Sequence, residues 1–193
     1  MSLPTLARPT ETTVPSPRPE PTPHALGPDD FRDAFRHHPG GVALVTALGE
    51  HAPAALTATS LTSISADPAV LAFSVSHASS AAPTILAAGT VVVHLLDAST
   101  VHLAKLGATS GIDRFADTSL WTTLPTGEPV FRGTRWLRAR VLDRVDAGAA
   151  TLVLAEPLEC DLGSDDVGEG CVREGLVYLN RTWHRLGDAS RLD

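Results

Sequence analysis

The chain is expected to fold as a mainly β domain, an antiparallel barrel with short peripheral helices. Three observations support this. Apolar, β-rich runs such as "VALVTAL", "AVLAFSVS" and "TVVVHLLD" recur along the chain. The stretches with helical start and stop signals are few and short. The strands do not alternate regularly with helices, as a doubly wound parallel sheet would require.

The elements follow in order. Residues 1–27, "MSLPTLARPTETTVPSPRPEPTPHALG", repeat Pro and Thr with almost no large apolar side chain. Such a segment cannot bury a core, and it is expected to be a disordered arm ahead of a single domain over 28–187, with 188–193 as a tail. "GPDDFRDAFRHHPGG" predicts a short helix, with Asp29 placed to cap it and Phe31, Ala34 and Phe35 on one stripe. Residues 42–48 read as a core strand, "AALTATSLTSIS" as extended structure, and residues 69–76 as a buried strand after a break at Asp67-Pro68. "SSAAPTILAAG" has helix start and stop signals in the right order. Residues 90–97 form the next strand and "ASTVHLAKLG" a second short helix closed by Gly107. "WLRARVLDRVDAG" and "ATLVLAEPLECD" read as two strands joined at Asp146–Gly148, and "GLVYLNRTWHRL" as a last strand and turn.

Composition excludes several functions. A formal net charge of −7 with scattered Lys and Arg does not make the clustered basic footprint that nucleic acid needs. No apolar run is long enough to span a bilayer, and the N-terminus has no signal-peptide h-region, so a cytoplasmic protein is expected. Cys160 and Cys171 lack metal-ligand spacing and read as reduced thiols. The eight histidines include no pair spaced to share a metal on one helix face, and no metal is expected.

The most informative stretch is "LTATSLTSIS". It carries Thr57, Thr59, Ser60, Thr62, Ser63 and Ser65 without one charged side chain. Neutral hydroxyls and backbone amides suit a flat heterocycle with alternating donors and acceptors, and Ala58 is small enough to let a ring approach. A polar-faced edge strand would use the same residues, and the run alone leaves both readings open. One strand later, "SHASS" puts Ser76, Ser79 and Ser80 ahead of the predicted helix. A helix first turn can hold an anion there without a Lys, although a serine at that position is more commonly a simple N-cap. The chain has no G-x-G-x-x-G, no Walker loop and no G-x-S-x-G elbow.

These residues carry a resemblance. "GVALVTALGEHAPAALTATSLTSISADPAVLAFSVSHASSAAPTIL", followed by "VVVHLL", "LAKL" and "DRFAD", is similar to the flavin reductase-like family of the FMN-binding split barrel, over residues 31–186. The nearest likeness is to the reductase components of two-component flavin monooxygenases. The resemblance implies a six-stranded Greek-key split β-barrel, a homodimer, and FMN or FAD reduced by NADH or NADPH. Hydride would pass from nicotinamide C4 to flavin N5, with no side chain acting as acid or base, so no catalytic residue is assigned. Reduced flavin would then go to a flavin-dependent monooxygenase. Carried over by motif, Thr57, Ala58, Thr59, Ser60 and Leu61 line the isoalloxazine and ribityl region. Ser76, His77, Ser79 and Ser80 hold the phosphate end, and Arg114 and Phe115 lie close to the cofactor. Arg114 also has a plainer reading as a surface ion-pair partner of Asp113 or Asp117.

The departures from the family pattern are specific. His77 stands where a basic residue is usual, Ala81 replaces a common hydroxyl, His94 replaces an Asn, and Thr100 replaces a Gln. The usual G-D-H reads Gly148-Ala149-Ala150. In the reductases that His lies near nicotinamide and flavin, where it can donate a hydrogen bond or a positive charge. Its loss should weaken nicotinamide binding or orientation, since hydride chemistry belongs to the cofactors and the protein supplies position and field. The same departure raises an alternative: a flavin-binding protein of this fold with weak or lost NAD(P)H use, acting as an electron carrier or specialised oxidoreductase.

Overall fold

The computed structural model describes residues 26–163 and 174–192. The predicted arm falls almost wholly outside them, as do His24 and Cys171. Three helices, α1 (Pro28–Arg36), α2 (Ala82–Ala87) and α3 (Val101–Ala108), accompany the strands. These are β1 (Gly40–Gly41), β2 (Ala43–Leu48), β3 (Pro53–Ala58), β4 (Thr62–Ala66), β5 (Ala69–Ser76), β6 (Thr90–Leu95), β7 (Trp121–Thr123), β8 (Pro129–Phe131), β9 (Arg135–Asp146), β10 (Ala150–Asp161), β11 (Gly175–Leu179) and β12 (Thr182–Leu186).

Seven strands make one antiparallel sheet in the order β3-β2-β6-β9-β10-β5-β4. The backbone ladder therefore has seven strands rather than six, with β3 and β4 as its edges. "AALTATSLTSIS" is not one extended element. It ends one edge strand, turns through Thr59, Ser60 and Leu61, and begins the opposite edge. Four chain steps reach at most about 14 Å, so the sheet has to curl until its two edges face each other. Bulges in the β9–β10 pairing, at Leu154/Ala155 and Pro157/Glu159, are where long strands gain such curvature.

The curled sheet encloses one apolar cluster. Val45, Val91 and Val93 from the middle strands meet Leu56 from β3 and Phe73 and Val75 from β5. The opposite face of β2 and β6 is also covered. Leu44 packs with Leu103 and Ala104 of α3, and with Leu176, Phe115 and Phe131. β2 is thus buried on both faces, which explains why "VALVTAL" reads as a continuous apolar run rather than an alternating one.

Polar groups in this core are matched. Thr46 donates its hydroxyl to the Pro129 carbonyl at 2.6 Å. His94 is fully buried. It donates from Nδ1 to the Leu44 carbonyl at 3.0 Å, and its Nε2 accepts the Phe131 N–H at 3.0 Å. Those two bonds require the neutral ring with its proton on Nδ1. Burial pushes its pKa down to about 4, against the upward pull of the Leu44 bond. Glu128 is buried too. Burial raises its pKa, but the Thr126 and Thr90 hydroxyls, its own backbone and the Arg138 guanidinium outweigh that and hold it at about 2.

Two local details differ from the sequence reading. Gly27, not Asp29, is the N-cap of α1, and Pro28 takes the first helical position; Asp29 instead accepts from Arg32 at 2.7 Å. Phe31 and Phe35 do stack, with centroids 4.8 Å apart, but both are more than half exposed. The C-terminal segment is a hairpin, β11–β12, rather than one strand and a turn. Among the described residues no helix is long and apolar enough to cross a membrane.

Candidate functional site

The hydroxyl run crosses the seam between the two sheet edges. Ser60 bolts it: its Oγ accepts the Ser74 N–H at 2.9 Å and the Ser74 hydroxyl at 2.9 Å. Ser74 lies beyond the point where β4 stops pairing with β5, so a side chain completes what the backbone ladder leaves open. Above this seam opens a cleft of about 490 Å³. Its floor and walls bring together Thr57, Ala58, Thr59 and Ser60 of the first hydroxyl cluster with Ser76, Ser79 and Ser80 of the second.

The third wall is the end of α3. A Cβ on Gly107 would lie 2.3 Å from Leu44 Cδ1 and 2.4 Å from Thr57 Oγ1, so only glycine lets the helix approach the sheet this closely. Thr57 fastens the contact by donating its hydroxyl to the Ala104 carbonyl at 2.7 Å. Its hydroxyl therefore has a structural bond; Ser60 Oγ accepts from Ser74 but keeps its own O–H to donate, and it and Thr59 are exposed on the cleft side.

Arg114 closes one end of the cleft. Its Nε donates to the Gly107 carbonyl at 3.2 Å and its Nη2 to the Thr109 carbonyl at 2.7 Å. Nη1 reaches Ser80 Oγ only at a long 3.5 Å. The ion-pair reading does not describe it. Asp113 accepts the Phe115 N–H and Asp117 accepts from Ser119, and among the described residues no carboxylate pairs with Arg114. A guanidinium has more N–H donors than these three acceptors use. The result is a fixed positive charge with unfilled donors beside Ser79 and Ser80.

The serine turn itself is differently built from the expected helix cap. Ala81 is the N-cap of α2, with no side-chain cap. Ser79 N–H donates to the Ser76 carbonyl, Ala82 N–H to the Ser79 carbonyl, and Ala81 N–H to Ser79 Oγ. With these amides engaged in the turn, positive charge at this end comes from Arg114.

Three residues carried over by motif do not line the cleft. Leu61 packs against the inner core and borders a groove beside β4. His77 turns to β10, with Nε2 2.8 Å from Thr151 Oγ1. Phe115 is buried, edge-on to Trp121 and against Phe131. Conversely, the cleft gains Ser74, Gly107, Ser110 and Ala150. Ser74 was within reach of the sequence, since it is two positions from Ser76 and so shares its face of the strand. Ala150 pairs with Ser76 across β5–β10, in a hairpin whose Gly148 has φ +77° and donates its N–H to Asp146. The last residue of "GAA" thus borders the cleft.

A cleft lined by neutral hydroxyls and small alanines, with a guanidinium at one end that has no carboxylate partner among the described residues, is suited to a flat polar ring carrying a phosphate. The comparison with known proteins decides the family. The flavin reductase like domain matches residues 35–187. The chain belongs to the flavin reductase-like family. It is 41% identical over 138 residues to an NADH:FMN oxidoreductase of Rhodococcus qingshengii, covering 71% of this chain and 72% of that protein. A flavin reductase domain protein from Arthrobacter sp. FB24 superposes with a TM-score of 0.76 at 27% identity, over 86% of this chain and 97% of that one. BorF, the flavin reductase component of a bacterial two-component tryptophan halogenase, gives a TM-score of 0.71 at 27% identity, over 83% and 98%. The flavin reductase-like chain is accordingly an oxidoreductase, with the mainly β fold of that family.

Proposed function

We propose that the cleft at the seam holds FMN and that the protein reduces it with NAD(P)H, releasing reduced flavin to a flavin-dependent monooxygenase. The single observation that carries this is the pairing of neutral hydroxyls along the cleft with Arg114 at one end, which has no carboxylate partner among the described residues. When both cofactors are bound, the nicotinamide supplies a hydride to the flavin ring. The chain's own residues bind and orient. Thr59 and Ser60 offer hydroxyls to the polar edge of the ring, and Ala58 and Ala150 keep its faces clear. Arg114, with Ser79 and Ser80, meets the phosphate with charge-assisted hydrogen bonds. The cleft is open along Thr59 and Ser60, which suits a flavin that leaves after reduction. The halogenase context of BorF supports a downstream flavin-dependent oxygenase as the client.

The finer architecture belongs to the same proposal: a split barrel working as a cytoplasmic homodimer. The outer face of the β9–β10 hairpin supports it, because Leu142, Val145, Leu152 and Leu158 are exposed there, with Val145 and Leu152 paired across the strands. A second copy would cover that face.

Anaerobic mixing of the protein with FMN and NADH or NADPH tests the function: rapid loss of oxidised flavin absorbance is expected. Bound flavin that stays oxidised would favour the electron-carrier alternative. Because Ala150 borders the cleft, Ala150→His should restore a donor to the nicotinamide. One added hydrogen bond corresponds to about a tenfold lower KM for NADH. An unchanged KM would show that the missing imidazole does not limit donor use.

A further inference from the structure

We propose that the groove beside α1 is the docking surface for this chain's own Pro-rich segment, Pro15 to Pro23, which then lies along the open side of the cleft. The docking stands on the groove itself; its effect on flavin rests on reading the cleft as the flavin site.

α1 is a helix without a covered face. None of its nine residues is buried, and Phe31 and Phe35 stack on each other while more than half exposed. A helix this short is marginal in water unless its apolar stripe is covered. A groove of about 400 Å³ is lined by that stripe and by the β1–β11 pair. Tyr178 makes the facing aromatic wall, backed by Trp183 with ring centroids 4.5 Å apart. The walls are fixed by close contacts. Asn180 N–H donates to the Arg36 carbonyl at 2.9 Å, and a Cβ on Gly40 would lie 2.9 Å from the Thr59 carbonyl oxygen. Thr59 lines both this groove and the cleft.

The chain itself carries the kind of segment such a groove takes. Pro15, Pro17, Pro19, Pro21 and Pro23 stand at alternate positions. Each fixes its own φ and turns the residue before it away from helix, so the run favours polyproline II before it binds anything. Aromatic-lined grooves bind such segments because little conformational entropy is left to lose. The reach is sufficient. Only His24 to Gly27 separate the run from α1, and Gly27 is extended, with φ −63° and ψ 156°. Polyproline II over Pro15 to Pro23 spans about 28 Å, against about 14 Å for α1, so a run turned back along the helix is long enough to pass Phe31 and Phe35 and arrive at Thr59. The tether holds the segment at an effective concentration on the order of millimolar, so weak contacts suffice. Charge agrees: Glu20 is the one acid in the run, and Arg181 in the groove has no ion pair among the described residues.

Fluorine NMR of the full-length protein labelled with para-fluorophenylalanine tests the docking, since each of the five phenylalanines gives its own resonance. Replacing three prolines together (Pro17→Ser, Pro19→Ser and Pro21→Ser) should move the Phe31 and Phe35 resonances and leave those of Phe73, Phe115 and Phe131 in place. The same variant should release FMN at least about threefold faster in stopped-flow fluorescence, because a docked segment slows exit past Thr59. Phe31 and Phe35 resonances that ignore the substitutions would overturn the docking. Resonances that shift with protein concentration instead, in the variant as in the parent, would give the face to a second copy and overturn it too. Unchanged FMN release with shifted resonances would overturn the effect on the cleft and uphold the docking. Failure to bind FMN would overturn the cleft reading, while the NMR comparison still decides the docking.

Discussion

Replacing Arg114 with alanine is expected to weaken FMN binding by roughly ten- to a hundredfold and to change riboflavin affinity by less than about twofold. The asymmetry follows from what Arg114 faces. Its guanidinium has no carboxylate partner among the described residues and stands beside Ser79 and Ser80, where the phosphate is assigned. Hydrogen bonds between charged groups contribute about 1.5–3 kcal/mol, and riboflavin has no phosphate to lose them. Arg114 also ties the end of α3 through the Gly107 and Thr109 carbonyls. Riboflavin affinity serves as the control for that structural role, because a collapsed cleft would lose both ligands alike. Raising the ionic strength should likewise weaken FMN more than riboflavin.

The second large effect is on stability. Taking the protein from about pH 7 to about pH 4.5 is expected to remove on the order of 2–3 kcal/mol through His94 alone, measured by urea unfolding at each pH. The sign follows from the proton count. His94 is neutral in the fold with a pKa of about 4, against 6.5 when exposed. Above 6.5 both states are neutral there and the stability is whole. As the pH falls from 6.5 towards 4 the unfolded chain takes up a proton that the folded chain refuses, so stability drops. Glu128 adds a later loss: its stabilisation is complete above 4.5 and disappears as the pH falls through about 2. His94→Asn removes the titrating ring, and the slope between pH 6.5 and 4.5 should flatten with it. A slope that survives the substitution would assign the acid sensitivity elsewhere.

Much of this was legible in the residues, and where it was not the reasons are physical. Short β-rich apolar runs bounded by turn residues located β2, β5 and β6, and the two long runs joined at Asp146–Gly148 located β9 and β10. Short β7 and β8 lack that length and escaped notice. The hydroxyl run was visible as a ligand candidate, but its central event, the crossing from one sheet edge to the other at Thr59–Ser60–Leu61, was not. A crossing is a property of strand order, and the run has no Gly or Pro to mark it. Motif matching brought Leu61, His77 and Phe115 along with their neighbours; they are not among the residues that line the cleft, and Phe115 lines a neighbouring cavity. Gly107 shows the converse. It reads as a helix stop, whereas its function in the fold is to let α3 touch Leu44 and Thr57. That contact is between elements far apart in sequence, and local pattern has no access to it.

The central claim is that flavin sits at the seam. A crystal structure of the protein with FMN tests it most directly. The account predicts the ring against Ala58, Thr59, Ser60 and Ala150, and the phosphate within hydrogen-bond distance of Arg114 and the Ser79–Ser80 hydroxyls. FMN bound elsewhere with the cleft empty, or bound with its phosphate turned away from Arg114, would contradict it.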